Sequence, residues 1–306
     1  MKKLFVFLLS LILILVIADW FFGFFADYQK KKGFKGDYEP VEYVMNHCNE
    51  DVLIMGSSVV LNSVKPSVIE ESLNVTCYNA GANGQTIIYY HTMLNCILKR
   101  YTPKIILLGI RPTEFQDEKI LRYNLLVPYY NSGNSEIDSV LESDGKYERF
   151  FLKSNLYRYN TIWFRILLYN FISEQDKDDK GFVAHEKPAS PPILAKTDPV
   201  KYVSENKLII LKDIINTCKS NNIKLYIFTP PTYCIFSSLP MTISSVQQVC
   251  EDNDIPYFND VSDSVFINHV DWFYDTSHLN KYGAEVYSKI LVGRIKHFFP
   301  NGQDNN

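Results

Sequence analysis

The chain has almost no excess of charge of either sign: 31 Lys and Arg stand against 34 Asp and Glu, a net charge of −3 over 306 residues. No basic field therefore marks it as a nucleic-acid binder. Its six cysteines include no CxxC pair, so the usual signatures of a zinc site and of a dithiol redox motif are missing. There is no phosphate-loop sequence, no dinucleotide fingerprint, no internal repeat and no heptad run, which removes nucleotide-binding motifs, solenoids and coiled coils. Disorder is excluded as well, because 46% hydrophobic, 14% aromatic and 21% charged residues are the balance of a folded chain. That content builds a sizeable core, and the length allows one or two domains.

The N-terminus carries the strongest compositional signal. Lys2 and Lys3 precede an apolar run from Leu4 to Ala18 that only Ser10 interrupts; Asp19 breaks it, and Trp20 to Ala26 resume it. As a helix, Leu4 to Ala26 would reach about 34 Å at ~1.5 Å per residue, enough to cross a bilayer. The lysines before the span place the N-terminus in the cytoplasm and everything after it outside. A cleaved signal peptide cut after Val16-Ile17-Ala18 is the alternative. It would leave the aromatic cluster of Trp20 to Phe25 at a new N-terminus, and the length of the run suits an uncleaved anchor better. The expected organisation is an anchor over 1–27, a linker over 28–50 and an exported α/β domain over 51–300. In the exported part Cys48, Cys77, Cys96, Cys218, Cys234 and Cys250 are permitted to form disulfides. Sequence does not choose among the pairings, and burial as small apolar side chains is the other reading.

After a polar stretch the chain alternates strand and helix signals. Asp51 to Met55, Val75 to Tyr78, Lys104 to Ile110, Lys224 to Thr229 and Ile255 to Phe258 are short apolar runs that read as strands. Gln85 to Tyr101, Val203 to Asn221, Ile243 to Asn253 and Lys281 to Phe299 read as helices. Strands without polar alternation, separated by helices, predict a parallel sheet covered on both faces. The expected fold class is α/β, a three-layer doubly wound parallel sheet of about five strands, with ligands gathering at the carboxyl ends of the strands. Residues 111–197 do not fit the alternation and read as an inserted cap over that edge. The cap is rich in aromatics, among them Tyr129, Tyr130, Phe150, Trp163 and Phe164, which would suit a sugar-binding patch. It ends in a charged, proline-containing loop from Ser173 to Pro192.

Three pieces fall at strand ends or before the last helix. Gly56-Ser57-Ser58 would present a hydroxyl where a strand meets a helix, near N–H groups that favour developing negative charge. Asn79-Ala80-Gly81-Ala82-Asn83-Gly84 would let backbone N–H groups approach a ligand. Asp275 three residues before His278 can orient an imidazole and stabilise its charged form while the other ring nitrogen faces a nucleophile. His47, His91, His185, His269 and His297 have no such partner in sequence and read as surface or packing residues.

On these residues the chain resembles the SGNH (GDSL-like) hydrolase superfamily. Gly56-Ser57-Ser58 stands where that family has Gly-Asp-Ser, Asn79 to Gly84 matches its Asn-x-Gly-x-x-Gly turn, and Asp275 with His278 matches its terminal Asp-x-x-His. The resemblance implies Ser58 as nucleophile, Asp275 and His278 as its activating pair, and Ser58 and Gly81 N–H groups as an oxyanion hole. The family's Gly-x-Asn-Asp block falls at Gly109-Ile110-Arg111-Pro112, and its Asn is absent. Losing one such donor typically costs about 10² to 10³ in rate. Arg111 and Asn83 are the available substitutes.

An anchored N-terminus with Gly-Ser-Ser and Asp-x-x-His is similar to the D-alanyl transfer proteins of teichoic acid synthesis and to alginate O-acetylation proteins. That likeness implies acyl-ester chemistry on an envelope polysaccharide, by hydrolysis or transfer, with a membrane-bound O-acyltransferase as a partner and with no cofactor, metal or nucleic acid. Three alternatives stay open: a catalytically degenerate domain that binds glycan or an acyltransferase partner, a lipid-acting esterase, and a flavodoxin-like nucleotide binder.

Overall fold

The five apolar runs become the five strands of one sheet. In a computed structural model, which describes all residues except 33–34, 117–122, 161, 170–178, 189, 200 and 299–306 and the side chains of Lys30 and Lys31, they are β1 (Val52–Met55), β2 (Cys77–Asn79) and β3 (Ile105–Gly109), then two later strands. A three-residue strand, β4 (Ala195–Thr197), lies between these groups. The later strands are β5 (Lys224–Thr229) and β7 (Tyr257–Asn259), with β6 (Cys234–Phe236) between them. The main sheet is parallel throughout, in the order β2-β1-β3-β5-β7. Strands β4 and β6 form a separate parallel pair, with Ala195 opposite Cys234.

Every residue of β1 and β3 is buried, and only Lys224 of β5 is exposed. A strand covered on both faces has no reason to alternate, which is why these runs are continuously apolar. On one face Val52, Ile54, Ile105, Leu107, Tyr226 and Phe228 form a cluster with Tyr287, Leu291, Val292 and Ile295 of α13 (Lys281–Lys296). The intervening residues Leu53, Ile106, Leu108, Leu225 and Ile227 are buried too and, by the period of two, face the opposite layer. Helices therefore cover both sides. Helix α4 (Pro66–Leu73) packs with α13, and α5 (Ile87–Leu98) packs with α10 (Glu205–Ser220).

Met1–His47 and Leu121–Gln175 form one compact unit, and Cys48–Ile120 with Asp176–Asn306 form the other. The sheet belongs to the second. The first is built on α1 (Lys2–Lys32), of which Lys2–Gln29 is long and apolar enough to cross a membrane. The stretch read as a linker carries the end of α1 and a further helix, α2 (Glu39–Asn46). Among the described residues of 111–197 there are four short α-helices, α6 (Ser135–Glu142), α7 (Glu148–Phe151), α8 (Asn155–Tyr159) and α9 (Trp163–Tyr169). At four to eight residues each, they are too short to write a helical period into the sequence. All four lie in the unit of α1, and Tyr123, Tyr129 and Tyr130 are buried.

Part of the charged loop falls outside the described residues, and the part that is described is pinned. The Asp179 carboxylate accepts hydrogen bonds from the Ser67 N–H and hydroxyl at the start of α4, and Phe182 is buried in the sheet core. All six cysteines are buried free thiols, which corresponds to the second of the two readings above.

Leu107 is buried in the cluster under α13. Leu107→Ala is expected to lower the unfolding free energy by about 2–5 kcal/mol, read as a fall in the urea midpoint at unchanged slope. A loss within error of zero would contradict this packing.

Candidate active site

Strand β1 ends at Gly56, and Ser57 starts a short helix, α3 (Ser58–Leu61), by accepting the N–H groups of Val60 and Leu61 at 3.0 Å on its carbonyl. Ser58 is the first residue of that helix, so its N–H has no intrahelical acceptor and its hydroxyl stands at the carboxyl edge of the sheet. The backbone must pass closely here. A Cβ at Gly109, where the neighbouring strand ends, would collide with the side chain of Val60.

The loop before α13 brings the other two groups. The Asp275 Oδ1 accepts the N–H groups of Ser277 at 2.7 Å and His278 at 2.8 Å, a local turn that fixes the imidazole against its own carboxylate. Nδ1 of His278 lies 3.0 Å and 2.9 Å from the two Asp275 oxygens, and Nε2 lies 2.9 Å from Oγ of Ser58. An ionised carboxylate only accepts, so Nδ1 carries the proton. In the neutral ring Nε2 is then the acceptor for the Ser58 hydroxyl. Burial alone would raise the Asp275 pKa, but the hydrogen bonds from the His278 ring and from the Ser277 and His278 N–H groups outweigh it and hold the carboxyl at about 2.

Behind His278, Asn280 is fully buried and caps α13. Its Oδ1 accepts the Tyr282 and Gly283 N–H groups, while its Nδ2 donates to the carbonyls of Asp271 at 2.7 Å and Phe273 at 3.4 Å.

The expected oxyanion residues are placed differently from one another. The Gly81 N–H donates to Asn79 Oδ1 at 2.9 Å, so an oxyanion would have to compete for it. Asn79 is itself fully buried, and its amide donates to the carbonyls of Val60 and Val64. It thereby ties the turn after β2 to the segment after Ser58, a tethering role that the motif does not announce. Arg111 pairs through Nε with Glu114 Oε2 at 3.3 Å, and the buried Glu114 accepts the first N–H of α5, from Ile87, on its other oxygen. Asn83 is exposed.

One residue near Ser58 and His278 is legible in the sequence only as packing. His185 stacks on Tyr274 with ring centroids 4.2 Å apart and meets the His278 ring edge-on at 5.8 Å. Burial, and then the His278 charge, push its pKa below the ordinary value, which disfavours its charged form. Its segment straps two elements together. Asn62 after α3 donates to the Val183 carbonyl, the Val183 N–H donates to Leu61, and the Lys281 N–H at the start of α13 donates to the His185 carbonyl. His185 has no partner near in sequence, so no local signal could have found it.

No family model matches the chain, and no curated protein matches it. Among solved structures it is similar to the psychrotrophic esterase EstA from Pseudoalteromonas, in a structure inhibited by monoethylphosphonate (12% identity, TM-score 0.43, 81% of this chain and 97% of that one). It is also similar to an acetyl xylan esterase (12% identity, TM-score 0.39, 81% of this chain and 100% of that one). At these identities and scores the likeness adds nothing to what the sheet order and the side-chain geometry establish.

Two measurements probe this arrangement. Because the folded pKa of Asp275 is depressed from 3.8 to about 2, its ionised form stabilises the fold above pH 3.8, and that contribution is lost as pH falls to about 2. The stability advantage of the protein over Asp275→Asn should therefore shrink across that window in acid titrations; an advantage independent of pH would contradict the pairing. Asn280→Ala should cost about 1–3 kcal/mol, from a lost cap and two carbonyls left without their donor, measured by thermal unfolding.

Proposed function

We propose that the chain is a serine esterase or O-acyltransferase whose nucleophile is Ser58, activated by His278 and oriented through Asp275. The observation that carries this reading is the continuous relay from the Ser58 hydroxyl through both imidazole nitrogens to a carboxylate held ionised at about 2. Ester chemistry needs that order of groups. Nε2 of His278 takes the Ser58 proton as Oγ attacks the acyl carbon, and the imidazolium is stabilised by the Asp275 carboxylate. The tetrahedral oxyanion falls beside the start of α3, where the Ser58 N–H has no intrahelical acceptor. Collapse breaks the bond to the leaving oxygen, which takes the proton from Nε2. Water or a sugar hydroxyl then gives a proton to His278 and attacks the acyl-serine, releasing Ser58.

The acyl ester is proposed to belong to an envelope polysaccharide, with a membrane-bound O-acyltransferase as the source or recipient of acyl groups in the transfer version. This reading supposes that α1 is a single-pass anchor and that the sheet-bearing unit is exported. Lysines flank both ends of the span, Lys2 and Lys3 before it and Lys30, Lys31, Lys32 and Lys35 after it, so the side on which the unit lies is a matter for accessibility labelling.

The second reading, a catalytically degenerate domain that binds glycan or an acyltransferase partner, is favoured by one specific feature. The Gly81 N–H is already hydrogen-bonded and Arg111 is paired with Glu114, so two of the expected oxyanion donors are engaged within the chain.

A fluorophosphonate probe on the full chain separates the two. Labelling is expected in the parent protein and absent in Ser58→Ala, and Asp275→Asn should slow it by about 10³–10⁴-fold, as loss of the orienting carboxylate does in a serine triad. A parent protein that does not label, or a Ser58→Ala variant that labels equally, would overturn the enzymatic reading.

A further inference from the structure

The unit built on α1 presents an unusual surface. The side chains of Trp20, Phe21 and Phe24 on α1 are exposed, and so are Phe150 and Phe151 of α7 and Phe164 of α9, at 67%, 49% and 61%. Soluble surfaces rarely leave so many large aromatics exposed. The start of α8 and Trp163 of α9 are also registered against α1. Oδ1 of Asp19 accepts the Ser154 hydroxyl at 2.6 Å and the Leu156 N–H at 2.9 Å, and its Oδ2 accepts the Asn155 amide at 3.2 Å. A turn further along, a Cβ at Gly23 would strike the Asn155 amide, and the ring of Phe22 meets Trp163 edge-on at 5.9 Å.

That level can be placed along the helix. A hydrocarbon layer of about 30 Å takes roughly 20 residues of helix, so a span that starts at Leu4 ends near Gly23. Asp19 and Phe22 then lie within the last turn or so of the apolar layer, and whatever touches them lies at its boundary. A carboxylate at that depth is costly unless hydrogen-bonded. The start of α8 supplies three donors.

The composition of residues 146–168 fits the same place. Lys146, Arg149, Lys153, Arg158 and Arg165 stand against one acid, Glu148. The cations sit beside the rings: the Lys146 ammonium lies 5.5 Å from the Tyr147 centroid and that of Lys153 lies 5.7 Å from Phe150. Aromatic rings with adjacent cations suit the headgroup boundary, where the ring enters the acyl region and the cation reaches phosphate.

We propose that α7, α8 and α9 form an interfacial collar around the carboxyl end of α1, with Phe150, Phe151 and Phe164 inserted into the lipid leaflet there and the basic residues on its anionic headgroups. The proposal rests on the reading of α1 as a membrane span. It gives the chain a second, independent hold on the bilayer, and it fixes the segment that follows the span at the membrane surface instead of leaving it on a free tether.

The test uses the full chain in vesicles of phosphatidylcholine and phosphatidylglycerol. Phe21→Cys, Phe150→Cys and Phe164→Cys are each labelled with an environment-sensitive nitrobenzoxadiazole probe. All six native thiols are buried, so the introduced cysteine is the one that reacts. Emission is compared with the free probe in buffer, with and without nitroxide-bearing lipids. Blue-shifted emission at positions 150 and 164, quenched by the nitroxide lipids as at position 21, is the expected result. Quenching at position 21 with water-like, unquenched emission at 150 and 164 would overturn the collar while leaving the anchor in place. Water-like emission at position 21 would overturn the anchor reading, and the collar with it.

Discussion

A single hydrogen bond, from the Ser58 hydroxyl to His278 Nε2 at 2.9 Å, joins residues 220 positions apart, and much of the sheet-bearing unit bears on keeping it short. Ser58 reaches the sheet edge because β1 ends against β3, with Gly56 and Gly109 leaving space for Val60. His278 reaches it because Asp275 wraps the turn and Asn280 ends it on α13, which is itself bound to the sheet through Tyr287, Leu291 and Ile295. At the foot of α13, Arg294 donates to the buried Asp260 carboxylate at 2.7 Å, adding a polar fastening on the same layer. A hydrogen bond of this kind is directional and loses strength steeply with misalignment, so its geometry has to be imposed by packing that is already rigid.

The strap through Val183 and His185 explains how two mobile kinds of element, a turn after a strand and a turn before a helix, hold a common geometry. It donates to and accepts from the end of α3 and reaches the start of α13. His185 lies edge-on to His278, and burial together with the His278 charge disfavours a second positive charge there. In the other unit Asp19 plays a comparable part, since one carboxylate organises the start of α8 on the flank of α1. In both places an irregular segment is fixed by hydrogen bonds to a regular one.

Much of the sheet, and the local Asp275–His278 turn, is legible in the sequence. Buried parallel strands write continuous apolar runs, and an Asp-x-x-His turn is a local pattern whose geometry follows from its spacing. The boundaries moved by a few residues, as for the helix expected over Ile243 to Asn253 and found at Met241–Glu251. Helices α6 to α9 were not legible, because a helix of one or two turns leaves no period to read. The roles of His185, Asn79 and Glu114 were not legible either, since each depends on partners brought from elsewhere in the fold. Within the charged, proline-containing loop, Asp179 and Phe182 are held by α4 and the core, through partners that composition does not reveal.

The sequence alone determined the long apolar helix, the succession of strands and helices, and the chemical identity of Ser58, Asp275 and His278, because each is written in neighbouring residues. Only the tertiary structure decided that these three side chains meet, that Asn79 already engages the Gly81 N–H, that His185 stands beside His278, and that the start of α8 and Trp163 of α9 meet α1. Those are relations between segments far apart in the chain, and they are set by how side chains pack and where each buried donor finds its acceptor.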